Sequence, residues 1–151
     1  MVDLKTQYAR LKHKIDPAMA SVIDSCEFIK GTALKEFENN LAQYLGVKHV
    51  IGVANGTDAL QIALMAIGLK QGDEVLCQSF TFSASANPID YLGASPVFID
   101  SERDTWNMCP LQLEMAIKDR IKKGRKPKAI IAVHLYGMPA KMEEIQQLSK
   151  K

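Results

Sequence analysis

At 151 residues the chain is long enough for one domain with a sizeable core, and its 47% apolar and 24% charged residues are those of an ordinary globular protein. A net charge of +2 gives no electrostatic case for nucleic acid or a membrane surface. Three widely spaced cysteines, Cys26, Cys77 and Cys109, fit neither a disulfide framework nor a zinc pattern, and no apolar run reaches membrane length, so the composition points to the cytoplasm.

After a short polar lead-in, residues 9–25 carry helical spacing in Leu11, Ile15, Met19, Val22 and Ile23. Pro17 interrupts that spacing, which predicts a second helix capped by Asp16 with Pro17 in its first turn. Residues 28–32 read as a loop with Thr32 as a cap. An amphipathic helix follows over 34–45, with Leu34, Phe37, Leu41 and Leu45 on one side and Gly46 as its stop.

The next stretch organises the rest. Val50-Ile51-Gly52-Val53-Ala54 is an apolar run of strand character, Asn55-Gly56 is a sharp turn, and a helix runs to Ile67 and stops at Gly68. Thr57 suits the N-cap and Asp58 the first turn. Free backbone N–H groups at such a helix start can hold an anion, so Gly56-Thr57-Asp58 reads either as a phosphate cradle or as an ordinary capped turn.

Three further strands are predicted at 74–78, 96–100 and 129–134, separated by helices over 87–92 and 110–121, and a last helix starts at Met142. Pro88 suits the first turn of the helix capped by Asn87. The basic residues from Lys118 to Lys128 read as a solvated helix end and loop. Continuous apolar strands alternating with helices predict an α/β fold, an αβα sandwich with a mainly parallel sheet in which all four strands join. The glycine spacing of a dinucleotide fold is absent.

Ligands of open α/β sheets bind beyond the carboxyl ends of the strands. Those ends offer Asn55 to Asp58, then Ser79, Phe80, Thr81 and Phe82, then Asp100, then His134, Leu135, Tyr136 and Gly137. A phosphate turn beside an aromatic side chain suits a flat phosphorylated ligand. Phe80 and Phe82 alternate, so one is expected to face the crevice (Phe82) and the other the core (Phe80). His134 fits a structural histidine, Asp100 a loop cap, and Tyr136-Gly137 a turn. No catalytic triad, carboxylate pair or metal spacing stands out.

The ordered set Asn55-Gly56-Thr57-Asp58-Ala59-Leu60, Gly72-Asp73-Glu74-Val75, Phe80-Thr81-Phe82, Gly93-Ala94-Ser95-Pro96-Val97-Phe98-Ile99-Asp100 and His134-Leu135-Tyr136-Gly137-Met138-Pro139 resembles the DegT/StrS family of sugar aminotransferases. Asp3-Leu4-Lys5-Thr6-Gln7-Tyr8, Phe28-Ile29-Lys30-Gly31 and Glu36-Phe37-Glu38 ahead of Tyr44-Leu45-Gly46 extend the resemblance along the chain.

The resemblance implies a pyridoxal-phosphate enzyme of the fold-type-I (aspartate aminotransferase) class, of which residues 1–151 form the front part of the large domain. It places Gly56, Thr57 and Asp58 at the cofactor phosphate, Phe82 on the pyridine ring, and Phe28, Ile29 and Gly31 at the nucleotide-sugar entrance. The family's Schiff-base lysine, its aspartate partner for the pyridine nitrogen and its small C-terminal domain fall beyond Lys151, so the sequence is expected to be the inactive front of a longer protein. That protein is expected to be a cytoplasmic homodimer that moves an amino group from an amino acid such as glutamate to a nucleotide-linked keto-sugar. The alternatives are the related sugar dehydratase, with histidine at the lysine position, and a non-catalytic fragment.

Overall fold

The computed structural model describes residues 2–150. The chain forms two compact units, Met1–Gly52 and Val53–Lys151.

The first unit holds two helices, α1 (Leu4–Ser25) and α2 (Thr32–Leu45). Asp3 caps α1: its Oδ1 accepts the Thr6 N–H at 3.0 Å and its Oδ2 the Thr6 hydroxyl at 2.7 Å. Pro17 lies inside α1 and starts no second helix. A proline removes one hydrogen bond of the ladder, and here the turns on either side continue across it. Asp16, expected as a cap, accepts instead from the Tyr8 hydroxyl at 2.8 Å and pairs with Lys12 one turn back.

The cap of α2 is Gly31 and not Thr32, whose N–H donates to Glu27 Oε2 at 2.8 Å. A Cβ on Gly31 would stand 2.3 Å from the Glu27 carbonyl oxygen, so only glycine fits. Gly46 ends α2 in the left-handed region, as its position predicts.

Residues 50–54, the expected first strand, form none. A strand needs a neighbour for its amides, and here the Gly52 N–H donates to the Glu38 carboxylate at 2.7 Å. Ile51 stays 78% exposed.

The second unit contains α3 (Gly56–Ala66), β1 (Glu74–Gln78), α4 (Asn87–Tyr91), β2 (Ser95–Ile99), α5 (Pro110–Lys122), β3 (Ala129–Ile131) and α6 (Met142–Ser149). The strands make one parallel sheet in the order β2-β1-β3, with Cys77 opposite both Phe98 and Ile131. Every residue of β1 is buried, and its side chains alternate between two layers. Val75 and Cys77 pack with Leu64, Leu69, Ile89 and Ala94, which belong to α3, α4 and their flanks. Leu76 packs with Met108, Leu113 and Ile145 beside α5 and α6. Helices therefore cover both faces, the sandwich that continuous apolar strands predict. Each buried Val, Leu, Ile or Met side chain among these contributes about 1.5–3 kcal/mol relative to exposure.

β3 stops at Ile131, three residues short of His134. Its pairing to β1 ends at Cys77, and the next turn of the chain carries the Ser79 N–H to Ile99 O on the other side at 2.9 Å.

The basic stretch is not merely solvated. Arg120 grips the buried Glu74 with two bonds, Nε to Oε2 at 2.7 Å and Nη2 to Oε1 at 2.5 Å, and Arg125 Nη1 reaches Oε1 at 3.4 Å. This fork-to-fork pair ties α5 to the start of the central strand.

Candidate active site at the carboxyl end of the sheet

The chain leaves β1 for β2 through α4 on one face, then passes back to β3 through α5 on the other. A sheet of order 2-1-3 opens its crevice where these directions part, between the loops that follow β1 and β3. A hollow of about 470 Å³ lies there, lined by Phe80, Thr81, Phe82, Ser85, Val133 and Tyr136 among others. A second hollow of about 380 Å³ adjoins it through Phe80 and Tyr136, and adds Trp106 and Met138.

Phe82 offers a ring that is 77% exposed. Phe80, expected in the core, is 52% exposed and meets Trp106 edge-on, with centroids 5.9 Å apart. The strand has ended at Gln78, so the two-residue alternation that assigned Phe80 to the core no longer holds. Trp106 and Tyr136 both sit at positive φ, 62° and 51°, and Tyr136 is 97% exposed.

α3 packs against the 3-10 turn Ser83–Ser85 that follows Phe82. Its cap is Asn55, not Thr57, which lies within the first turn. Asn55 Oδ1 accepts the Asp58 N–H at 2.9 Å and Nδ2 donates to Asp58 Oδ2 at 3.1 Å. The amide of Asp58 is thereby taken, whereas those of Gly56 and Thr57 have no partner among the described residues. Space is open at Gly56, where an added Cβ would meet nothing within 4 Å. Asp58 itself faces a shallow groove with Val53, Ala54 and Gln61.

His134 has the structural role expected of it: Nδ1 accepts the Ala140 N–H at 2.9 Å. Asp100 turns its loop by accepting the Ser101 N–H at 2.8 Å. Phe28 and Ile29 are exposed on the first unit, in the loop that leads to the Gly31 cap.

Two residues of the crevice escaped sequence reasoning. Gln78 is fully buried, and Nε2 donates to Phe80 O at 2.6 Å and Trp106 O at 3.0 Å while Oε1 accepts the Met108 N–H at 3.0 Å. Asn107 is equally buried; Nδ2 donates to Thr105 Oγ1 at 3.0 Å and Met138 O at 2.9 Å, and Oδ1 accepts the Leu135 N–H at 2.8 Å. A polar residue closing an apolar strand was the available signal for Gln78. Nearby, the Glu102 carboxyl is held down to about 2 by the Thr105 hydroxyl, with the Asp104 and Thr105 amides and Lys141 adding to it.

Known proteins share this architecture. The chain is 43% identical, over 99% of its length, to UDP-2-acetamido-2-deoxy-3-oxo-D-glucuronate aminotransferase of Pseudomonas aeruginosa, and spans 40% of that protein. It superposes on a DegT DnrJ EryC1 StrS aminotransferase from Brucella abortus with a TM-score of 0.94 and 45% identity, covering 99% of this chain and 40% of that one. NtdA of Bacillus subtilis, solved with bound cofactor PMP, matches 87% of this chain and 29% of its own, with a TM-score of 0.73 and 34% identity. The chain thus spans less than half of each relative, and its α/β fold is that of the fold-type-I aminotransferases. Residues 9–151 match the DegT/DnrJ/EryC1/StrS aminotransferase family, and the chain belongs to it.

Proposed function

We propose that the complete protein is a pyridoxal-phosphate-dependent sugar aminotransferase, and that residues 1–151 are the front part of its large domain. The single observation that carries the site is a pairing of two features: an exposed Phe82 ring on the crevice, and the packing of α3, whose first two amides have no partner among the described residues, against the turn that follows that ring.

These residues fit the cofactor. The Gly56 and Thr57 N–H groups and the Thr57 hydroxyl hold the phosphate at the positive end of α3. Asn55 and Asp58, bonded to each other, shape that turn. Phe82 covers one face of the ring and excludes water from it. When bound, the cofactor supplies the electron sink for breaking the bond to hydrogen at the amino-bearing carbon. Among the described residues, none that lines the crevice is a lysine, and we assign the covalent anchor to another part of the complete protein.

The substrate proposed is a nucleotide-linked keto-sugar, with an amino acid such as glutamate as donor. Phe28, Ile29 and Gly31 line its entrance. The relative from Pseudomonas aeruginosa, named for a UDP-linked 3-oxo sugar acid, supports this class. The enzyme acts as a cytoplasmic homodimer that supplies amino sugars for cell-surface polysaccharide or antibiotic sugars.

The test is to incubate the complete protein, cofactor and glutamate with UDP-, dTDP- and GDP-linked keto-sugars and to follow 2-oxoglutarate and amino-sugar together. Equimolar formation of both is the expected result. Consumption of the sugar with loss of water and no 2-oxoglutarate would identify a dehydratase.

A further inference from the structure

We infer that Gln78 and Asn107 are positioning residues for the cofactor crevice, two buried carboxamides acting in series to set the distance between its walls. The inference rests on the assignment of Phe82 to the cofactor ring.

The loops after β1, β2 and β3 carry the crevice, yet among the described residues the backbone ties them together past the last paired residues, Gln78 with Ile99 and Cys77 with Ile131, only through the Ser79 N–H to Ile99 O. Gln78 joins the first loop to the second, through Phe80 O on one and Trp106 O and the Met108 N–H on the other. Asn107 joins the second loop to the third, through Met138 O and the Leu135 N–H. The Phe82 wall and the Leu135-Tyr136 wall are thus fixed relative to each other by way of the loop that follows β2. Neither amide lines the crevice.

The bonding fixes each amide's orientation. Both Nε2 protons of Gln78 meet carbonyls and its oxygen meets an N–H, so a flipped amide would set oxygen against two carbonyls. Asn107 is satisfied in the same way, with a hydroxyl and a carbonyl on its nitrogen. No hydrophobic residue of equal volume does this, because it would strand buried carbonyls and N–H groups. These bonds also hold Trp106 in its left-handed conformation, since its carbonyl is one of the Gln78 acceptors and its neighbour is Asn107.

The experiment uses the complete protein, with Gln78→Glu, Asn107→Asp, Phe82→Ala and the double variant Gln78→Glu/Phe82→Ala. Pyridoxal phosphate affinity, the circular dichroism of the bound cofactor and the melting temperature of the cofactor-free protein are measured for each. Gln78→Glu is expected to weaken cofactor binding about tenfold, the scale on which supporting residues act in other sites, and to alter the dichroic band. Adding it to Phe82→Ala is expected to weaken binding less than the product of the two single effects, because both act through one wall. Asn107→Asp, which leaves the core strand untouched, repeats the affinity and dichroism changes if Gln78→Glu does not fold. Variants that melt earlier but bind with parental affinity and an unchanged band would reduce both residues to a structural role and overturn the inference, as would multiplying effects in the double variant. If Phe82→Ala binds like the parent, the cofactor assignment falls and takes the inference with it.

Discussion

Asn55 and Asp58 satisfy each other at the start of α3, side chain to amide at 2.9 Å and amide nitrogen to carboxylate at 3.1 Å. This leaves the Gly56 and Thr57 amides without a partner among the described residues. Asn55→Ala is expected to cost about 1 kcal/mol of stability through loss of the cap. Asn55→Asp retains an acceptor for the Asp58 amide but brings a second negative charge to the anion site, so it is expected to lower cofactor affinity with less loss of stability. Denaturant titration and cofactor titration of both variants separate the two effects.

Thr57→Ala removes a hydroxyl bond to a charged acceptor, usually worth roughly 1.5–3 kcal/mol. The expected result is an about tenfold to hundredfold weaker affinity for pyridoxal phosphate. Titration of the complete protein and the variant reads this directly; unchanged affinity would move the phosphate elsewhere.

Phe82→Ala is expected to lose cofactor while changing folding stability by no more than about 0.5 kcal/mol, since the ring is mostly exposed. Phe80→Ala is expected to behave differently from a core truncation. Its ring meets Trp106 at the surface, so the loss should fall well below the roughly 3–5 kcal/mol of a buried phenylalanine. A larger loss, seen as an early melt, would return Phe80 to the core.

The buried Glu74 should answer strongly to one arginine and weakly to the other. Arg120→Met removes the two-bond partner and leaves the buried carboxylate only its longer contact with Arg125, so it is expected to be the more destabilising of the two changes. Arg125 is largely exposed at 3.4 Å, and Arg125→Met should cost less than about 1 kcal/mol. Urea unfolding of the two variants gives the comparison.

The same carboxylate makes an acid-stability prediction. The Arg120 hydrogen bonds hold the Glu74 carboxyl below its ordinary 4.5. A carboxyl lowered in the folded state binds protons more readily when unfolded, so its stabilising effect is complete above about pH 4.5 and is lost as pH falls through the folded value. Glu102, held near 2 first by the Thr105 hydroxyl, follows the same sign over a wider acid range. Melting temperatures from pH 6 downward should fall less in Glu74→Gln and Glu102→Gln than in the parent.

Much of this molecule is legible in its residues. The continuous apolar runs at β1 and β2 required cover on both faces, because alternate side chains of a strand point to opposite layers. Gly46 and Gly68 ended helices where they stand, both at positive φ, since the left-handed turn disfavours a side chain. The strand-end list contained Phe82 and Tyr136, both of which line the crevice, for a topological reason that the alternating pattern already carries.

Tertiary structure alone decided the rest. Residues 50–54 have strand character but no strand, because pairing depends on a neighbour and not on local preference. Pro17 stays inside a helix whose flanking turns outweigh one missing bond. Phe80 left the core because the strand ended two residues before it. The cap passed from Thr57 to Asn55, and the basic stretch gave up Arg120 to a carboxylate 46 positions away. Gln78 and Asn107 became structural ties only once three distant loops met around them, since a buried amide has no meaning until its partners are fixed in space.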